Sequence, residues 1–109
     1  MAVLSYLRLT IGPERTAVFE ADLAAMVVLA RQQPGFHWVE TYQQQDEPHT
    51  YLVLSEWESP ETMRGWLRHP EHLETLRNYK RRYQGSTVAR RSYAPLPPNE
   101  RPQSPPWPP

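Results

Sequence analysis

Phe36-His-Trp-Val-Glu-Thr-Tyr-Gln43 and Tyr51-Leu-Val-Leu-Ser-Glu-Trp57 decide the fold of this 109-residue chain. Both runs are rich in the β-branched and aromatic residues that suit a pleated surface, and only the polar turn Gln44 to His49 and Thr50 separate them. An antiparallel hairpin is the simple reading. In its first strand, plain alternation puts Phe36, Trp38 and Tyr42 on one face and His37, Val39 and Thr41 on the other.

Upstream, Pro34-Gly35 stops a helix. Gly12-Pro13-Glu14 opens that helix, because proline suits the first helical turn and a carboxylate favours its positive end. Phe19, Leu23, Met26, Val27 and Ala30 then recur with a helical period and form a core-facing stripe, which Val18, Ala25 and Leu29 widen. Ahead of the helix, Ala2 to Leu9 alternate as a strand, with Val3, Leu7 and Leu9 on one side and Leu4, Tyr6 and Arg8 on the other. Downstream, Ser59-Pro60-Glu61 supplies an N-cap serine and a first-turn proline. Met63, Trp66 and Leu67 form the buried stripe of that helix. Pro70 interrupts it, and a further helical piece carries Leu73, Leu76, Tyr79 and Tyr83 as far as Gly85. Ser86 to Tyr93 completes the set as a fourth strand.

The order β-α-β-β-α-β predicts an α+β, ferredoxin-like fold, a four-stranded antiparallel sheet with both helices on one face. The domain spans residues 1–93. From 94 to 109 the chain is an extended, proline-rich tail, with eight of the thirteen prolines between Pro95 and Pro109. Nothing in such a tail can cover the second face of the sheet, and apolar and aromatic residues occupy both faces of the central strands. A homodimer, two sheets stacked around a shared core, is therefore expected; the plain alternative is a monomer with an open face.

Composition narrows the function. Twelve basic residues balance twelve acidic ones, so no field steers nucleic acid or a membrane surface to this chain. The longest apolar run, Leu23 to Ala30, is far shorter than a membrane span. With no cysteine, disulfides, thiolate metal sites and a Cys nucleophile are excluded together. A cytoplasmic protein is the expectation.

The stretch Tyr51 to His72, a strand ending in Trp57, a short helix carrying Trp66 and a Pro-containing turn before His72, resembles the signature region of antibiotic-biosynthesis-monooxygenase domains. Pro34-Gly35-Phe36 ahead of the second strand fits the same family, as does Leu9-Thr10 ahead of the Pro-Glu helix start. The resemblance covers about residues 3–93. It implies a dimeric α/β barrel with a pocket between each sheet and its helices. It also implies, for some members, oxidation of aromatic substrates by molecular oxygen with no metal or flavin cofactor. Haem-degrading relatives carry an Asn on the first strand, a Trp on the second helix and a His ten residues beyond it. Here only Trp66 matches, since Leu7 and Leu76 stand at the other two positions.

Several side chains are candidates for the site, each with a structural alternative. Trp66 either walls the pocket, offering an apolar plane and one N–H donor, or packs the helix on the sheet. Trp57 is a further pocket candidate that equally serves as a packing anchor. His72 is the favoured catalytic base, since a neutral imidazole can take a proton from a phenolic substrate. His72 is otherwise a solvent-facing or capped residue, His69 is a second candidate base or a helix cap, and His37 reads as a residue of the dimer seam or of solvent. The two histidines flanking Pro70-Glu71 lack a third ligand, so no metal is expected. Tyr51, Asn78 and Tyr79 are candidate hydrogen-bond donors to a bound small aromatic or hydrophobic ligand. Arg77, Lys80, Arg81 and Arg82 form a solvated basic face. The leading expectation is a cofactor-independent monooxygenase for a small aromatic or quinone-like compound. A non-catalytic, ligand-binding or stress-related dimer is the alternative, and a haem-binding relative is the third reading.

Overall fold

The computed structural model describes residues 1–77 and 87–96. Four strands, β1 (Val3–Thr10), β2 (Phe36–Gln43), β3 (Thr50–Trp57) and β4 (Thr87–Tyr93), pair antiparallel in the order β2-β3-β1-β4. Helix α1 (Thr16–Ala30) follows β1 through a short 3-10 turn at Pro13–Arg15, and α2 (Pro60–Leu67) and α3 (Pro70–Arg77) follow β3. This is the α+β, ferredoxin-like arrangement expected from the element order, and the sheet is open, with β2 and β4 as its edges. Tyr79, Tyr83, Gly85, the cluster Lys80 to Arg82 and the proline-rich tail from Pro97 onward lie outside the described residues.

Register fixes which side chains meet. Val3, Ser5, Leu7 and Leu9 of β1 stand opposite Trp57, Ser55, Val53 and Tyr51 of β3, and this set faces the helices. Leu9 and Leu7 also pair with Val88 and Arg90 of β4, which places those two on the same side. The reading of β1 holds in its two faces, although the strand runs one residue further, to Thr10.

The faces of β2 differ from plain alternation. Phe36 pairs with Trp57, but the next paired residue is Trp38, against Glu56, so His37 is an extra residue in a β-bulge. Phe36 therefore shares the helix-facing side with Val39 and Thr41, whereas Trp38, Glu40 and Tyr42 share the opposite side. The His37 ring lies against Glu56, 2.9 Å from its carboxylate. Alternation misassigned Trp38, Tyr42, Val39 and Thr41 because one inserted residue reverses the phase of everything after it.

Two core clusters hold the layers together. Val3, Ala30, Trp57, Met63 and Trp66 form one, beneath α2, and Leu9, Ile11, Phe19 and Tyr51 form the other, at the start of α1. On α1, Phe19 and Ala30 are buried, and Leu23, Met26 and Val27 are half-buried. Val18 and Ala25, expected to widen the stripe, are exposed. The helix is apolar around most of its circumference, so periodicity alone overstated the width of its buried face.

The loop between α1 and β2 meets the start of α2. Ser59 caps α2 by accepting from the Thr62 N–H (3.2 Å), while the Thr62 hydroxyl accepts from the Ser59 N–H (3.1 Å), a reciprocal capping box. Gly35 sits against that box with φ +79°, and its carbonyl accepts from the Glu58 N–H at 2.7 Å. A Cβ at position 35 would strike the Thr62 side chain. Gly35→Ala therefore adds left-handed backbone strain of about 1–3 kcal/mol to a steric clash with the cap. A thermal melt should show a clear loss for Gly35→Ala and a smaller one for Thr62→Ala, which removes only half of the capping box.

Candidate functional site

A cavity of about 180 Å³, partly open to solvent, separates α1 from the sheet. Leu7, Leu9, Val39 and Val53 form its floor, and Phe19, Leu23, Met26 and Val27 of α1 form its roof. The stripe read from the α1 sequence is thus largely a cavity wall, which accounts for its half-buried middle. Ser5 and Ser55, adjacent on β1 and β3, contribute small side chains to the floor and leave room above it.

Trp66 and His72 close one end. Helix α2 presents Trp66 inward about two turns after its capped start, and the break at Pro70 redirects the chain so that His72 turns back over the same indole. The two rings stack with centroids 4.4 Å apart and planes 19° apart. Trp66 also stacks on Trp57, at 6.0 Å and 16°. Trp57 has no exposed surface and donates its indole N–H to Ser55 Oγ at 3.0 Å.

His72 is 7% exposed, and its Nδ1 has no hydrogen-bond partner among the described residues. Burial, followed by the nearby Arg90 cation, pushes its pKa down from 6.5 to about 4, although hydrogen bonding to the Leu67 and Trp66 carbonyls acts the other way. The ring is therefore neutral at neutral pH, with a nitrogen able to accept a proton. Arg90, brought in by β4, lines the same cavity; its Nη2 atom is shielded from water and has no hydrogen-bond partner among the described residues. Burial lowers its pKa, yet a guanidinium stays charged. A neutral acceptor and a fixed cation thus share a mainly apolar chamber. That arrangement can take a proton from a bound hydroxyl or activated carbon and stabilise the anion left behind.

The structure brings together Trp66, His72 and Trp57 in the cavity lining. Tyr51 lies elsewhere: it is buried against Phe19 in the second core cluster and outside the cavity lining. Its hydroxyl donates to Glu20 at 2.8 Å, and burial with that carboxylate raises its pKa to about 12. Asn78 and Tyr79 lie outside the described residues. His69 Nδ1 accepts from the Glu71 N–H at 3.3 Å, so this histidine caps α3. His37 is on the opposite face of the sheet. Among the described residues no group of three or more potential ligands could hold a metal ion.

Sequence reasoning missed Arg90, Ser5 and Ser55. The signal for Arg90 was the pair Arg90-Arg91 inside a strand, since alternation must turn one of two consecutive arginines toward the helices. The two serines were visible only as small polar breaks among apolar inward positions.

Comparison with known proteins agrees with this architecture. Rv0793 from Mycobacterium tuberculosis superposes with a TM-score of 0.79 at 20% identity, covering 89% of this chain and 97% of that one. SnoaB, a cofactor-independent oxygenase from Streptomyces nogalater, gives 0.75 at 20% identity, covering 92% and 98%. A conserved protein from Methanosarcina mazei gives 0.77 at 15% identity, covering 85% and 91%. At these identities the likeness is one of fold. No curated protein sequence matches. Residues 3–78 match the antibiotic biosynthesis monooxygenase family, and with that span covering most of the chain, the protein belongs to this family.

Proposed function

We propose that the protein is a cofactor-independent monooxygenase acting on a small aromatic or quinone-like compound with molecular oxygen. The observation that carries this reading is the cavity end where neutral His72, stacked on Trp66, stands beside the half-buried Arg90 cation. His72 takes a proton from the substrate, and the resulting carbanion or phenolate, steadied by Arg90, reacts at a ring carbon with oxygen. The proton returns from His72 to the peroxide so formed. Loss of water then leaves a carbonyl: one oxygen atom stays on carbon, the other departs as water, and the substrate supplies all four electrons. The apolar walls keep bulk water from the anion. SnoaB, which shares the fold, is itself a cofactor-independent oxygenase, and family membership supports the same class of chemistry.

Haem chemistry fits poorly. An engineered cavity of ~150 Å³ holds one benzene ring, so a chamber of about 180 Å³ does not admit a porphyrin. Leu7 lines the floor at the position where haem-degrading relatives carry Asn.

The second face of the sheet supports a homodimer as the working form. Leu4, Tyr6, Trp38, Leu52 and Leu54 lie there half-buried, flanked by Tyr42 and Tyr93 at 48% and 51% exposure. Arg8, Glu40, Glu56 and Arg91 stand among them on the same side, so a second copy would bury an apolar centre crossed by charges, and a stable interface needs ~1,000 Å² of such contact. Light scattering at micromolar concentration should give a dimer mass, and Leu54→Arg, at the centre of the face, should give monomers. A monomeric wild type would exclude the dimer.

Oxygen uptake with hydroxylated naphthalenes and anthrones tests the activity. Uptake is expected with the wild type and should fall by about 10²–10⁴-fold in His72→Gln. No uptake across the series would favour a non-catalytic ligand-binding module.

The depressed His72 pKa also sets a pH dependence of stability. Between pH 6.5 and about 4 the unfolded chain binds a proton at His72 that the folded protein refuses, so stability falls as the pH drops through this window. The loss attributable to this residue is about 3 kcal/mol. Denaturant titrations at pH 7 and pH 4 should show His72→Gln losing correspondingly less than the wild type.

A further inference from the structure

Arg90 holds a fixed positive charge inside the cavity. Its guanidinium takes part in neither ion pair found among the described residues, His37–Glu56 and Glu61–Arg64. A buried charged donor left unpaired is costly, more so than a neutral one. A neutral ligand filling the chamber would remove its remaining water and leave only the Asp22 carboxylate, itself engaged elsewhere, to offset the charge. His72 cannot supply that compensation, because its ring is neutral and its Nδ1 is itself unpartnered among the described residues.

The remaining lining limits the ligand further. Leu7, Val53, Leu23 and Met26 enclose apolar space, and the Trp66 plane offers a surface for an aromatic ring. The volume of about 180 Å³ slightly exceeds the ~150 Å³ that holds one benzene ring, and its open side allows some overhang. Asp22 of α1 also lines the chamber and is already engaged in an interaction of its own. Its carboxylate disfavours a second negative group on the ligand.

We propose that the occupant is an aromatic monoanion of one or two fused rings, with its carboxylate or acidic enolate held by Arg90 and its rings in the apolar chamber beside Trp66. The proposal rests on the cavity being the binding site. It adds that the substrate arrives already charged, so recognition and later stabilisation of the reacting anion use the same guanidinium.

Calorimetric titration of the full chain at pH 7 tests this, with 2-naphthoate as the carboxylate probe and 2-hydroxy-1,4-naphthoquinone as the enolate probe. 2-Naphthol and 1,4-naphthoquinone are their neutral counterparts, and 2-anthroate adds a third ring. At least one anion should bind roughly 10- to 100-fold more tightly than its neutral counterpart. The pair with the larger ratio identifies the charged group. Arg90→Met should bring the ratio close to one with little change for the neutral compound, and Arg90→Lys should retain part of it. If Arg90→Met does not fold, Arg90→Lys and the wild-type ratios decide. Equal or tighter binding of both neutral compounds, or a preference that survives Arg90→Met, would overturn the proposal. Binding of 2-anthroate as tight as that of 2-naphthoate would overturn the size limit. The outcome is separable from the oxygenase reading: selective anion binding without oxygen uptake removes the reaction and leaves the ligand class, whereas turnover of neutral naphthols alone does the reverse.

Discussion

An indole shut away from water must find an acceptor for its N–H, and at Trp57 that acceptor is Ser55, two residues back on the same face of β3. Much of the site follows from this bond. It fixes the plane of a side chain with no exposed surface, and Trp66 stacks on that plane. Trp66 in turn stacks against His72. Phe36 closes the far end of the column, edge-on to Trp57 with centroids 5.7 Å apart. The acceptor also has to be small, and the same serine leaves room in the floor for the cavity. A bulkier residue at position 55 would lose the bond and fill the chamber together.

The element order, the strand pairing and the Ser59 cap were readable because each rests on local chemistry: alternation, a capping serine, prolines at helix starts. Trp66 and His72 were readable as site candidates through the spacing of family-like residues around Pro70. What stayed hidden depends on distance through space. Tyr51 sits on the helix-facing side of β3, as a pocket residue should, yet Glu20 across the layer claims its hydroxyl. Arg90 is ordinary in sequence and becomes exceptional only because β4 pairs with β1 in a register that turns it inward beside His72. The faces of β2 were lost for a third reason. No composition rule marks His37 as the residue to be left out of the ladder.

Membership of the family and the chemistry of the chamber are separate kinds of knowledge. Residues 3–78 carry the first, and the fold neighbours, at 20% identity or below, share a backbone scaffold with this chain. The scaffold hosts different reactions by changing which side chains reach the space between helix and sheet. In this chain that space combines a neutral imidazole, a guanidinium, the Asp22 carboxylate and three small hydroxyls in a mainly apolar enclosure.

The bulge in β2 makes that strand unevenly tolerant of length change. Every residue from Trp38 to Gln43 occupies a rung of the ladder with β3, so losing any one of them would turn over part of the strand and exchange its inner and outer faces. His37 is supernumerary. Its loss would close the ladder into regular pairing while Phe36, Val39 and Thr41 still faced the helices and Trp38 and Tyr42 still faced away, at the expense of one surface contact with Glu56. Position 37 is thus the point at which this strand can lengthen or shorten by one residue over evolutionary time without rewriting either the chamber or the outer face of the sheet.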